Sequence, residues 1–288
     1  MDGTAIDWLT ERLLQAVVGA EAVTPAVTTL LLRRYAATFR DDLRDALGSA
    51  LAGALEAASA ERDPRRRSEW LVLFVEASAL SDDDRLRPAA DALAGALRSL
   101  WPSRGDIAPA MRSVDACLSA ASDDNANALV PAAIDELERV VGLAYAPGEG
   151  LMHAIHDPSG KAGDLGDHVA AISALLTAHA VTGRLPYSML AEELMQFARR
   201  TWWDEARGGF PANPAQFVSS CESVRVLCRL AALLEDADYR KAAVVARQSD
   251  YADDARRTLE SLGLAYRDQG LDAALYGIAL DEYLSLTS

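Results

Sequence analysis

Leu143–Phe210, LAYAPGEGLMHAIHDPSGKAGDLGDHVAAISALLTAHAVTGRLPYSMLAEELMQFARRTWWDEARGGF, is the stretch on which the fold turns. Ile172, Leu175, Leu176 and His179 recur at helical spacing, and a second helical run follows the short break Thr182–Pro186. The two runs predict a helical hairpin. A loop rich in His and Asp precedes it, and the Gly208–Gly209 turn follows it. The stretch holds all four histidines of the chain and its only Trp-Trp pair.

The same pattern repeats on both sides. Ile6, Leu9, Leu13 and Val17 mark a first helix, and Thr24-Pro25 supplies an N-cap and a first-turn proline for the next. Leu31 to Ala54 reads as one long helix or as two with a break near Arg40 or Gly48. Helices follow over about Ser68–Leu80, then from Leu86 to the Trp101-Pro102 stop. Met111, Val114 and Leu118 mark the next helix, and Leu129, Ile134, Leu137 and Val141 its partner, across the apolar-free loop Ser122–Asn127. Beyond the opening stretch come a helix through Cys221–Leu234, a partner beginning at Tyr239–Val245, and helices over Ala252–Tyr266 and Leu271–Leu284. No segment reads as a strand. Leu86/Ala90, Tyr187/Ala191 and Tyr239/Ala243 repeat one device, a large residue opening the second helix of a hairpin and a small one letting it pack closely. About twelve helices joined by short loops make about six antiparallel hairpins. We therefore expect an all-α chain, one closed (α/α)6 toroid domain over residues 1–288. An open α/α solenoid of the same hairpins is the alternative.

Composition narrows the function classes. Half of the 288 residues are hydrophobic, enough for a large core. A net charge of −15 argues against nucleic-acid binding, which needs clustered Lys and Arg. The basic run Arg62–Arg67 reads as a solvated loop, and Asp41-Asp42-Leu43-Arg44-Asp45 as a charged solvent face. Asp2 and Asp7 stand where a signal peptide would be basic, and no apolar run is long enough to cross a membrane. The three cysteines form no CxxC and read as buried thiols of a reducing, cytoplasmic compartment. No Walker or dinucleotide pattern occurs, and neither a cofactor nor a metal is expected.

Residues 164–170 (DLGDHVA), Leu175-Leu176, Thr182-Gly183, Tyr187 with Ala191, residues 203–210 (WDEARGGF), residues 229–231 (RLA) and Tyr239-Arg240 come in an order that resembles the helical domain of the thioredoxin-domain-containing, spermatogenesis-associated protein family. More distantly the order is similar to the N-acylglucosamine 2-epimerases and other six-hairpin glycosidase-like barrels. The resemblance covers about Tyr145–Ala246. It implies a toroid whose funnel, at one end, binds sugars or similar polar molecules. Gly166 and His168 depart from the family pattern, as do residues 219–223 (SSCES), and no thioredoxin-like segment is present.

The candidate residues follow from chemistry. His153, His156 and Asp157, then Asp164, Asp167 and His168, concentrate groups able to move protons near neutral pH. Glycoside chemistry needs two carboxylates, one with a raised pKa, and Glu69, Glu76, Asp167, Glu222 and Asp272 are available. We expect Asp167, His168 and Glu222 as catalytic groups, and His153, His156 and Trp203 as sugar contacts. The bland reading makes the His/Asp loop a solvent-exposed cap, His179 a core residue and the Trp pair a hairpin lock. Two functions result: carbohydrate binding or modification of the epimerase or hydrolase type at the toroid mouth, or a non-catalytic helical scaffold for a protein or peptide partner.

Overall fold

The computed structural model describes residues 4–18, 23–121, 126–156, 160–242 and 250–287. Its helices are α1 (Thr4–Val18), α2 (Pro25–Thr38), α3 (Asp41–Ala60), α4 (Pro64–Ser78), α5 (Leu86–Arg98), α6 (Ile107–Ala120), α7 (Ala126–Ala144), α8 (Leu165–Thr182), α9 (Leu185–Trp202), α10 (Phe217–Glu235), α11 (Ala237–Ala242), α12 (Tyr251–Leu262) and α13 (Ala273–Leu286). Helices α2, α4, α6, α8, α10 and α13 pack each on the next, and α13 packs back on α2. This inner ring is closed, so the toroid is formed and not the open solenoid. Helices α3, α5, α7, α9 and α12 pack outside α2, α4, α6, α8 and α10, each as the return arm of a hairpin. The sixth outer position is taken by α1, which packs on α13. Ring closure thus joins the first and last helices, and the chain opens on an outer arm.

Local signals set these boundaries. The Thr24 side chain accepts from the Val27 N–H at the start of α2. The long Leu31–Ala54 pattern is two helices, because Phe39 adopts the left-handed region (φ +52°) and ends α2. Asp63 caps α4 at Arg65, so that helix begins at Pro64, before the expected Ser68, and Arg65–Arg67 form its first turn. Gly183, at φ +68°, ends α8 and turns the chain into α9. Gly209 is required for another reason: a Cβ there would stand 2.8 Å from the Thr258 Cα of α12.

Three details differ from expectation. Residues 145–151 hold a minimal antiparallel hairpin, β1 (Tyr145–Ala146) and β2 (Gly150–Leu151), too short to leave an alternating pattern. The main outer partner of α10 is α12; α11 is a short helix, and Ala243–Val245 of the expected partner lie outside the described residues. His179 is partly exposed at the end of α8, its Nδ1 3.2 Å from the Arg184 carbonyl oxygen. Ser122–Asn125, most of the loop read between α6 and α7, also lie outside the described residues.

The core is continuous around the ring, with Trp70, Phe74, Leu30, Leu31, Phe210, Phe217 and Tyr251 all fully buried. At the closing seam Gly277 of α13 faces α2 and α1. A Cβ there would meet Leu30 Cδ2 at 2.6 Å and Leu9 Cδ1 at 3.1 Å. All three cysteines are buried free thiols. Among the described residues no helix is long and apolar enough to cross a membrane.

Candidate functional site: a tiered charge cluster on the ring axis

Each inner helix returns through an outer arm, so the six inner helices run parallel and their first turns share one face of the toroid. Residues equally far from their helix starts then stand at about equal height. Glu69, Arg112 and Glu222 lie five residues past the first residue of α4, α6 and α10. Arg33, Asp115, Ser173 and Arg225 lie eight past the starts of α2, α6, α8 and α10. Glu76, Thr177 and Arg229 lie twelve past the starts of α4, α8 and α10. At about 1.5 Å per residue these are three tiers roughly 5 Å apart. All but Thr177 line a cavity of about 160 Å³ on the ring axis, with Val72, Val169, Leu275 and Ile278 as apolar wall.

The tiers are tied by charge. Arg112 forks onto Glu222, Nη1 to Oε1 at 2.7 Å and Nη2 to Oε2 at 2.6 Å. Glu282 of α13 accepts from Arg33 Nη1 at 2.8 Å and Arg225 Nε at 3.0 Å, and Arg33 reaches Glu76 at 3.4 Å. Arg229 Nη2 donates to Thr177 Oγ1 at 2.8 Å, and its Nη1 to Ser173 Oγ at 2.9 Å. Those two hydroxyls donate in turn to Asp115, Ser173 at 2.6 Å and Thr177 at 2.5 Å.

The carboxyls of the first tier differ sharply. Burial pushes Glu69 above its ordinary value of 4.5, and Arg65, whose Nε is 3.1 Å away, does not offset it. Burial would also raise Glu222, but the Arg112 guanidinium outweighs it and holds that carboxyl below 4.5. One cavity carboxyl therefore keeps its proton more readily and the other loses it more readily. Two carboxyls separated in this way can divide the roles of acid and anion.

The His/Asp loop stands apart from this cavity. Asp164 caps α8 by accepting from the Asp167 N–H at 3.1 Å, and Asp167 Oδ2 accepts in return from the Asp164 N–H at 2.9 Å. The same Oδ2 lies 2.7 Å from His153 Nδ1, and Asp167 Oδ1 accepts from the Ala108 N–H of α6 at 3.2 Å. His153 is raised above its usual value by that hydrogen bond to Asp167, while Asp167 is itself raised by burial. The two shifts pull the shared proton opposite ways, and the hydrogen bond holds whichever group carries it. His168 is fully buried. Its Nε2 accepts from the Leu151 N–H at 3.0 Å, its Nδ1 donates to the Asp164 carbonyl at 2.8 Å, and its ring stacks on Phe197 at 5.0 Å. Burial lowers its pKa, which fits a neutral ring with both nitrogens engaged. Gly150, at φ +78°, leaves the space this ring fills; a Cβ there would be 2.5 Å from His168 Nε2.

Of the six expected site residues, Glu222 lines the cavity, and Asp167, His168, His153, His156 and Trp203 are not among its lining residues. His153 and Asp167 are brought together in the cap of α8. One potential ligand atom from each of His153, Asp164 and Asp167 falls within 4.8 Å of the others, and the side chains of all three are engaged in the cap of α8. His156 is exposed at φ +62°, and Asp157 lies outside the described residues. The guanidinium groups of Arg199 and Arg257 lie over the Trp203 ring, 5.1 and 5.5 Å from its centroid, and that ring is T-shaped to Phe210. Glu69 and Glu76 line the cavity; Asp272 is exposed before α13. Sequence reasoning missed Arg33, Arg112, Asp115, Arg225, Arg229 and Glu282. The usable signal was Glu222, Arg225 and Arg229 at helical spacing inside the apolar run of α10.

No family description and no curated protein matches the chain. Solved structures do match over nearly its full length. The alpha-1,6-mannanase from Salegentibacter sp. HEL1_6 superposes with a TM-score of 0.71 at 13% identity, covering 99% of each chain. An inactive variant of that mannanase, carrying two substituted adjacent aspartates, has been solved with alpha-1,6-mannotetrose (TM-score 0.72, 13% identity, 100% of each chain). The unsaturated glucuronyl hydrolase from Bacillus sp. GL1 matches at 0.69 and 14% identity, covering 91% of this chain and 85% of that one. A D-mannose isomerase matches at 0.65 and 10% identity, covering 91% and 86%. The fold is thus shared with carbohydrate hydrolases and isomerases. In this chain no adjacent pair of aspartates lines the cavity among the described residues.

Proposed function

We propose that the axial cavity binds a carbohydrate or similar polyol of about one ring and supports proton transfer on it, as a hydrolase or isomerase does. The observation that carries this reading is the first tier, where Glu69 is pushed toward its neutral form and Glu222 toward its anion in one cavity. Glu69 then donates the proton. Glu222, fixed by Arg112, stays anionic and steadies positive charge developing on the sugar. Asp167, His168 and His153 serve indirectly by fixing the start of α8, whose Val169, Ala170 and Ser173 line the cavity. The motifs that resemble the helical domain of the spermatogenesis-associated family lie mostly in this supporting α8–α9 hairpin.

The test is a thermal-shift and turnover screen with mono- and disaccharides, on the native chain and on Glu69→Gln. Stabilisation by a monosaccharide, with turnover at least about 100-fold lower in Glu69→Gln and binding retained, is the expected result. No stabilisation by any saccharide sinks the reading. One observation favours the scaffold alternative. The cavity is smaller than the roughly 300–1,000 Å³ common for ligand pockets, because paired side chains occupy the axis. A stable protein partner recovered with the chain, together with silence in the saccharide screen, would establish that alternative.

A further inference from the structure

Arg229 is unlike the other arginines of the cavity. Arg33, Arg112 and Arg225 each lie against a carboxylate. Among the described residues no carboxylate comes within ion-pair distance of Arg229. Its nearest anion, Asp115, is reached only through the Ser173 and Thr177 hydroxyls, and both Asp115 oxygens already accept from them. The guanidinium is fork-shaped with five donors. Three of its bonds go to Ser173 and Thr177, through Nη1 and Nη2. Nε makes no hydrogen bond among the described residues, and the side chain lines the cavity. A guanidinium partly withdrawn from water without a direct counter-charge is costly unless something completes it. Burial accordingly lowers its pKa, with Asp115 opposing. Two turns nearer the helix starts, Glu69 stands as a carboxyl inclined to hold its proton.

We propose that the ligand of the cavity is a sugar-sized polyhydroxy monocarboxylate, its carboxylate seated on Arg229 and its hydroxyl-bearing end toward Glu69 and Glu222. This rests on the carbohydrate reading above and sharpens its substrate class. The third tier supplies the charge, and the Ser173–Thr177–Asp115 relay holds the guanidinium in place. The apolar wall of Val72, Val169 and Ile278 gives the carbon skeleton its seat.

The experiment is calorimetric titration of the native chain and of Arg229→Gln with glucuronate, gluconate, glucose and acetate. A charge-assisted carboxylate contact is worth about 10-fold or more in affinity. The expected result is glucuronate or gluconate binding at least about 10-fold tighter than glucose, acetate weak, and the ratio of acid to glucose affinity falling to about one in Arg229→Gln. Equal binding of glucose and glucuronate by the native chain overturns the proposal and leaves the carbohydrate reading standing. Retention of the acid preference in a folded Arg229→Gln also overturns it. Silence toward both sugar classes removes the carbohydrate reading itself. The native-chain comparison decides the matter even if the variant does not fold.

Discussion

Glu69 and Glu222 are the same side chain on the same tier, and the Arg112 fork on Glu222 is what separates their protons. A further buried carboxyl shows what such a neighbour is worth. Asp254 of α12 is almost fully buried and pushed up from 3.8 to about 6, chiefly by burial, with Arg199 opposing. Arg199 Nε lies 3.1 Å from Asp254 Oδ2, close enough for charge attraction, yet neither atom makes an aligned hydrogen bond. The attraction is therefore incomplete, which fits a raised carboxyl. The native state holds this proton to higher pH than the unfolded chain does. Stability supplied by the group is present below 3.8 and is lost as pH rises to about 6. A rise of that size corresponds to about 3 kcal/mol. Denaturant titrations at pH 4 and pH 7 should show that loss in the native chain and much less of it in Asp254→Asn. Equal pH slopes in the two proteins would refute the assignment.

Helices α6 and α10 are not neighbours in the inner ring, since α8 lies between them, yet the Arg112–Glu222 fork joins them across the axis. Removing one partner leaves the other charge buried. Arg112→Ala should cost about 3–5 kcal/mol, whereas the double change Arg112→Met, Glu222→Met should cost far less. Chemical denaturation of the three proteins checks this, and a double variant as unstable as the single one would contradict it. The element scale is also where sequence was most legible. Thr24-Pro25, Gly183 and Gly208-Gly209 sit at helix ends and hairpin turns, because capping and left-handed turns depend on nearby residues alone. The site was less legible. Rare residues drew attention to His153–His168, where His168 and Asp167 are present because the start of α8 demands them. Beyond the helical spacing in α10, no local pattern marks the arginines of the cavity. What places Arg33, Arg112 and Arg229 inside is the parallel register of six helices, a property no single segment carries. Glu222 was found because it stood near a helix start, a weak local cue that coincides with the first tier.

At the scale of the whole molecule, closure is the defining fact, and it depends on one seam. Helix α1 contributes buried Ile6, Leu9 and Leu13 and packs on α2, α3 and α13. Leu9→Ala with Leu13→Ala should cost about 2–5 kcal/mol for each residue, against a total stability of about 5–15 kcal/mol. For a chain of this size that is a fall in melting temperature of roughly 7–17 °C, readable by circular dichroism. A shift of a degree or two would show that α1 takes no part in closure. The seam also carries a meaning for synthesis. Among the ring helices its α1–α2 side is made before its α13 side, so on the ribosome the ring exists as an arc whose raw edge, Leu9 and Leu30, waits for Gly277. Translation from Leu9 to Gly277 takes about 13–54 s at roughly 5–20 residues per second, and isolated helices form in about a microsecond. While the ring is being made the nascent chain is therefore a helical arc with an unsealed apolar groove, and α13, the latest of the ring helices, is the one that seals it.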